Sequence, residues 1–273
     1  MSRIAVIGLV GRSMFFDVPH FHAGGETITA RSLYEEWGGK GFNQAVAAAR
    51  QDAAVAFLGA VNAADVKPLK AFCDKEGVRA TLAAKKKPTA TAAILTDGTG
   101  ETRVTVYPGA ALEAKDVDGF AGSIAMSDFL LLNNEVPEAA NLAAIEIAKE
   151  YGVKVIYNPA PARKLPKAIL ESVAIFTPNE FEEKELLASG SQLKAEIVTT
   201  LGAKGCCIRS TGETIPAPMV KAVDSTGAGD TFNAVLAVRL ADGDPLREAC
   251  VAANAAAAQS VTVRYVLPSL PRT

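Results

Sequence analysis

The run Asp224-Ser225-Thr226-Gly227-Ala228-Gly229-Asp230-Thr231-Phe232 places small residues and a carboxylate ahead of Asn233–Leu240, a segment of helical composition. Glycines allow a tight backbone turn, and the unpaired amides at a helix N-terminus favour an anion such as a phosphate. Taken alone, Asp230 reads as a helix cap, since aspartate is a favoured capping residue. No Gly-Lys-Ser/Thr follows, so this is not a P-loop, and its place far from the first strand excludes the dinucleotide fingerprint. Far upstream lies a second cluster, Trp37-Gly38-Gly39-Lys40-Gly41-Phe42-Asn43-Gln44-Ala45, also running into a helical segment. It offers close backbone approach, one cation and an amide side chain, groups that suit the hydroxyls of a polar small molecule. Alone it reads equally as a structural turn. Two such loops, each opening a helix, point together to a binding cleft.

The elements that must hold these loops follow from the apolar pattern. Ile4–Val10, Val55–Val61, Phe129–Leu132, Val153–Tyr157, Ala174–Thr177 and Ile197–Thr200 are short, β-rich and nearly all apolar, as strands buried on both faces are. Between them, Asn43–Gln51, Asp65–Glu76, Glu138–Glu150, Pro166–Glu171 and Glu180–Ala188 have helical composition. This alternation predicts an α/β fold: a central, mostly parallel sheet with helices on both faces. Two stretches break the rhythm. Residues 12–37 contain no helix pattern, and Ala90–Thr96 and Glu101–Tyr107 flank the turn sequence Asp97-Gly98-Thr99-Gly100, a β-hairpin signature. We expect a small β lid of residues 12–37 and 88–107 on a core of residues 1–11, 38–87 and 108–273; the competing expectation extends the edge of the main sheet. Lys85-Lys86-Lys87 reads as a solvated turn.

Composition narrows the function. The chain has 273 residues, 49% hydrophobic and 21% charged, with a formal net charge of −2; this is a globular balance without the basic surplus of a general nucleic-acid binder. The cysteines Cys73, Cys206, Cys207 and Cys250 show no C-x-x-C spacing and read as buried thiols of a reduced compartment. His20 and His22 lack a third ligand nearby in sequence and read as structural. The first apolar run is too short for a signal peptide, and the alanine-rich Ala249–Val263 reads as a packed helix rather than a membrane span. A cytoplasmic protein without membrane or nucleic-acid partners is expected.

The two glycine loops resemble the two signatures of the ribokinase-like carbohydrate kinases of the PfkB family, and most of all its ribokinase members. Asn158-Pro159-Ala160-Pro161-Ala162-Arg163 resembles the stretch after a central strand in that family, Thr177-Pro178-Asn179-Glu180-Phe181-Glu182 its N-x-x-E motif, Thr200-Leu201-Gly202-Ala203-Lys204-Gly205 its nucleotide-side loop, and Pro108-Gly109-Ala110-Ala111 the return from the lid. These stretches occur in family order along nearly the whole chain. The resemblance implies transfer of the ATP γ-phosphoryl group to a hydroxyl of a pentose or related sugar. Asp230 would be the general base, and the amides of Thr226, Gly227, Ala228 and Gly229 an anion hole. Asp17, Gly38, Gly39, Lys40, Asn43 and Glu135 would face the sugar. Asn179, Thr200, Gly202, Lys204 and Asn254 would line the nucleotide side. Asn179 and Glu182 would place Mg²⁺ through water, and Asp224 with Ser269 matches a monovalent-cation (K⁺) site. A homodimer through the β lid is also implied.

The chain departs from the family at several points. Phe15, beside Phe16, stands where ribokinases carry an asparagine, and neighbours on a strand face opposite ways, so one ring should face the cleft. Ala60-Val61-Asn62-Ala63 replaces a Gly-Asp-Asp stretch, and Tyr265 replaces the glycine of the cation loop. The connection between Leu187 and Ile197 is short by a helix. Alternative readings are a nucleoside kinase, with a phenylalanine stacked on the base, and a catalytically inactive sugar-binding regulator.

Overall fold

The computed structural model describes residues 1–188 and 193–273. The chain opens with β1 (Arg3–Ile7), β2 (Gly11–Asp17), β3 (Ser32–Gly38), α1 (Lys40–Ala49), β4 (Ala54–Asn62), α2 (Val66–Lys75) and β5 (Val78–Lys85). It continues through β6 (Ala90–Thr96), β7 (Thr102–Tyr107), α3 (Ala114–Asp118), α4 (Ala121–Ala125), β8 (Phe129–Asn133), α5 (Glu138–Glu150), β9 (Lys154–Asn158), α6 (Lys167–Ser172), β10 (Ile175–Phe176) and α7 (Glu180–Leu187). The remaining elements are β11 (Glu196–Thr200), β12 (Cys206–Ile208), β13 (Glu213–Ile215), α8 (Ala228–Ala241), α9 (Leu246–Ser260) and α10 (Val266–Ser269).

A nine-stranded sheet runs in the order β13-β12-β11-β10-β9-β8-β1-β4-β5. Its strands are parallel except where β11, β12 and β13 meet. The apolar runs are near-continuous because both faces are covered. Along β1, Ile4 and Val6 enter one core with α1, α2 and α8, while Ala5 and Ile7 enter the other with α3, α4 and α5. β1 stops at Ile7 rather than Val10, because the chain leaves there for a second sheet. Gly8 lies at that exit, and a Cβ on it would come within 2.5 Å of Gly41 Cα. Only two glycines let the end of β1 and the start of α1 meet this closely.

The second sheet has the order β3-β2-β6-β7, with β2 and β6 parallel and the other pairs antiparallel. It is separate from the main sheet, so the edge-extension expectation fails. The hairpin turn is held by Asp97, whose Oδ1 accepts from Thr99 N at 2.8 Å and Glu101 N at 3.2 Å. This sheet is tied to the core by Glu36 on β3, which accepts from Val266 N at 2.9 Å and Leu267 N at 3.0 Å. Tyr34 on β3 also stacks on Tyr265, with ring centroids 3.9 Å apart.

Some expectations need correction. Lys86 and Lys87 are exposed as expected of a turn, but Lys85 ends β5 and pairs with Asp116 at 2.7 Å and Glu113 at 2.9 Å. The alanine-rich helix begins at Leu246 and ends at Ser260, ahead of Val263. β5, α3 and α4 have no counterpart in the sequence reading; α3 and α4 are five residues each, too short to show a helical period. Part of the short connection after Leu187 lies outside the described residues.

Candidate active site

α1 and α8 bring the two glycine loops together. Asp230 is the third residue of α8, whose N-cap is Gly227 with φ of 80°. The capping reading of Asp230 is therefore wrong: the turn is closed by a left-handed residue that favours glycine, and the carboxylate points elsewhere. Its Oδ2 accepts from Asn43 Nδ2 at 2.8 Å and its Oδ1 from Gln44 Nε2 at 3.2 Å. Burial pushes its pKa up, while the Lys40 charge and the two amides pull the other way.

Lys40 is the first residue of α1, and its backbone N–H donates to Glu135 Oε2 at 2.7 Å. Its pKa is raised by the nearby Asp230 carboxylate above all, with Glu135 and Glu182 adding to this against burial. The three carboxylates that act on this ammonium come from three distant parts of the chain. Glu135 is pushed up to about 7, burial outweighing the Lys40 charge. Its backbone is set by Asn133, whose Oδ1 accepts Glu135 N at 2.9 Å.

In the loop before α8, Thr226 N donates to Asp224 Oδ1 at 3.0 Å and Ala228 N to Ser225 O at 3.3 Å. The N–H groups of Gly227, Gly229 and Asp230 have no acceptor among the described residues. Of the four expected anion-hole amides, Gly227 and Gly229 are therefore free in this structure, and Thr226 and Ala228 are engaged.

On the far side of α8 lies a largely apolar cavity of about 300 Å³, lined by Thr200, Gly202, Asn254, Gly229 and Phe232 among others. Asn254 donates to Ile215 O at 2.9 Å, which leaves its Oδ1 toward other partners. Lys204 is exposed and is not part of this lining. Asn179 and Glu182 cap α7 reciprocally: Asn179 Oδ1 accepts from Phe181 N and Glu182 N, each at 2.9 Å, and Glu182 Oε2 accepts Asn179 N at 2.8 Å. This leaves the other Glu182 oxygen without a donor among the described residues. Among the described residues no group of three or more His, Cys, Asp or Glu forms a ready metal cage. That donor set fits Mg²⁺, which keeps much of its hydration and is held by few carboxylates. It does not suit a dehydrated ion.

The expected monovalent-cation residues are engaged internally. Asp224 accepts Thr226 N and, through Oδ2, Tyr265 N at 3.0 Å, and Ser269 Oγ donates to Val266 O at 2.8 Å. Tyr265 keeps φ of 68°, a glycine-like conformation, and its ring lies on Tyr34. These bonds fix the two side chains, while lone pairs remain on the Asp224 oxygens and on Ser269 Oγ.

Asp17 ends β2 on the second sheet. Phe15, on the same face, is buried and lines a cleft with Asp17 and Ile94, while Phe16 lies on the opposite face in register with Leu33 and Leu95. One ring of the two faces the cleft, as expected. Gly38 ends β3 and Gly39 caps α1, which places both beside Lys40. Gln44 was missed because it is adjacent to Asn43 and therefore about 100° round the helix; both are buried because α1 is covered on two sides.

A buried carboxylate aligned by two amides at the head of a helix with free N–H groups suits phosphoryl transfer to a small polar molecule. The model of the pfkB family carbohydrate kinases matches residues 1–273, and the chain belongs to that family, as an ATP-dependent carbohydrate kinase. It is 34% identical over 292 residues to the ribokinase of Haemophilus influenzae, covering 99% of this chain and 95% of the relative. The ribokinase of Thermotoga maritima superposes with a TM-score of 0.89 at 32% identity, covering 100% of this chain and 97% of that one. The Arabidopsis thaliana ribokinase complexed with ribose and ATP superposes with a TM-score of 0.86 at 26% identity, covering 100% and 96%.

Proposed function

We propose that this kinase phosphorylates a hydroxyl of a pentose or related sugar, with Asp230 as the base and residues 12–37 and 88–107 as the lid. The observation that carries the assignment of Asp230 is its setting: buried, aligned by Asn43 and Gln44, and at the head of α8. Each carboxylate oxygen has accepted one amide N–H, so lone pairs remain for a substrate hydroxyl. The raised pKa makes it a better proton acceptor than an exposed aspartate. The free N–H groups of Gly227 and Gly229, with the Lys40 ammonium, would hold the negative charge that develops on the transferred phosphoryl group. Asn43 Oδ1 is buried without a donor, an acceptor suited to a sugar hydroxyl. Asp17 and Glu135 would hold others. The apolar cavity with Thr200, Gly202 and Asn254 would take the adenine. Mg²⁺, near Glu182 and Asn179, would neutralise phosphate charge when bound.

Phe15 favours a second reading, a nucleoside kinase, because it gives the cleft an apolar wall. An ATP-consumption assay with a panel of sugars and nucleosides decides. Sugar turnover well above any nucleoside supports the first reading, the reverse supports the second, and activity with none supports an inactive regulator. A homodimer through the lid is supported by Leu33, Val104, Val106 and Tyr107, which are 49–58% exposed on a thin sheet; light scattering that finds only monomer at high concentration refutes it. The free state of all four cysteines supports a cytoplasmic setting.

A further inference from the structure

Position 233 breaks the pattern of its neighbours in α8. Phe232, Ala234, Val235 and Leu236 are buried apolar residues, and Asn233 is as buried as they are, at 1% exposure. Asparagine is a poor helix former, and a buried amide needs partners for its donor and its acceptor. Asn233 has both. Its Nδ2 donates to Gly229 O at 2.8 Å, one turn back, and its Oδ1 accepts from Thr177 Oγ1 at 2.5 Å. The partners fix which way round the amide lies. A carbonyl only accepts, so Nδ2 faces Gly229, and the Thr177 hydroxyl gives its proton to Oδ1.

Thr177 is itself held at the carboxyl ends of neighbouring strands. Its N–H donates to Tyr157 O at 3.0 Å and its carbonyl accepts from Asn158 Nδ2 at 2.9 Å, both at the end of β9. The next carbonyl, of Pro178, accepts from Thr200 N at 2.8 Å, at the end of β11. Gly229 has no side chain to fix it: it is exposed, and a Cβ there would meet nothing within 4 Å. The Asp230 carboxylate is steadied from α1, by Asn43 and Gln44. The peptide that joins Gly229 to Asp230 is held instead through its carbonyl, by Asn233, while its N–H stays free. A hydrogen bond to a carbonyl polarises the peptide and strengthens the N–H at its other end as a donor. A chain of bonds thus runs from the strand ends, through Thr177 and Asn233, to a free amide at the head of α8.

We propose that Asn233, braced by Thr177, is a positioning residue for phosphoryl transfer: it sets and polarises the Gly229–Asp230 peptide, whose N–H then stabilises charge on the transferred group. The inference rests on the anion-hole reading of this loop and adds to it a residue that does not touch the reactants. The test uses the full chain with ATP and the best acceptor from the panel of sugars and nucleosides. Thr177→Val keeps the side-chain shape and removes the donor, whereas Thr177→Ser keeps the donor. Thr177→Val should lower kcat about threefold to tenfold, the worth of one hydrogen bond. It should lower kcat/KM by the same factor, as an interaction made only in the transition state requires. Asn233→Leu should cost more, toward the roughly hundredfold loss of one anion-hole donor, and Thr177→Ser should stay within about twofold of wild type. If Asn233→Leu fails to fold, the two Thr177 variants still decide. In the ¹⁵N-labelled chain without ligands, the Asp230 amide nitrogen resonance should move upfield in Thr177→Val and stay in place in Thr177→Ser. That readout needs no acceptor. An equal kcat loss in Thr177→Ser overturns the proposal, as does a KM that rises while kcat holds. A resonance that does not move overturns the brace. A resonance that moves while kcat is unchanged keeps the brace and refutes the anion-hole reading. If the wild type turns over no acceptor, the sugar and nucleoside readings fail, and the resonance alone upholds or overturns the brace.

Discussion

Replacing Asp230 by asparagine removes the proton acceptor while keeping the shape of the side chain. In the wild type both carboxylate oxygens accept from amides, Asn43 Nδ2 at 2.8 Å and Gln44 Nε2 at 3.2 Å. The new amide nitrogen in Asp230→Asn would face one of these donors, and an unmatched buried donor costs about 1–3 kcal/mol. The structure offers relief, because Asn43 Oδ1 and Gln44 Oε1 are both buried without a partner. Rotating one of those amides by half a turn presents an acceptor to the new donor. Loss of a buried carboxylate whose pKa is raised by burial also removes an unfavourable charge, offset by loss of its attraction to Lys40. We therefore expect the melting temperature to move by less than about 4 °C, the equivalent of roughly 1 kcal/mol for a chain of this size. Phosphoryl transfer should fall at least about 100-fold, the lower end of general-base help, or about 2.7 kcal/mol of barrier. A coupled ADP-release assay reads the rate, calorimetry reads ATP binding and a thermal melt reads folding. A variant that keeps more than about a tenth of wild-type turnover, far above that hundredfold loss, refutes Asp230 as the base. A variant that melts far lower refutes the amide rotation.

Other outcomes follow from the same geometry. Glu135 is raised from its ordinary 4.5 to about 7, so the folded chain keeps a proton there that the unfolded chain gives up. The stability from this group is fully present below pH 4.5 and is lost as pH rises through about 7; Glu135→Gln should flatten that decline in denaturant titrations, and an unchanged slope counts against the burial of the charge. Phe15→Asn should improve ribose use about tenfold by restoring a polar partner; unchanged ribose kinetics in a variant that melts normally would show that Phe15 only packs against Tyr34 and Tyr265. Because Tyr265 stands in place of the glycine of the cation loop, with its ring stacked on Tyr34, rates in potassium, sodium and bulky organic-cation buffers should agree within about twofold, less than one hydrogen bond is worth; severalfold activation by potassium contradicts this reading of the Tyr265 segment.

Features that depend on neighbours along the chain were legible from residue order alone. The apolar runs read as doubly buried strands became β1, β4, β8, β9, β10 and β11, and Glu138–Glu150 is α5 with the same bounds. The hairpin was legible because its turn chemistry is local. The position of Asp230 in the first turn of a helix was also legible, since three small residues and a helical run follow one another. Tertiary structure decided the rest. Asp230 and Asn43 are 187 residues apart, and no local spacing says that α1 and α8 pack side by side with both amides turned onto one carboxylate. The same holds for Lys40 and Glu135, 95 residues apart, and for Arg31 and Arg264, which meet at Asp17 only because the lid folds over the core. Raised pKa values are likewise properties of burial, and burial is set by which surfaces the sheet and helices cover. Local patterns specify elements through their periods, whereas the chemistry of a site comes from the register and packing that bring distant side chains within a few ångströms.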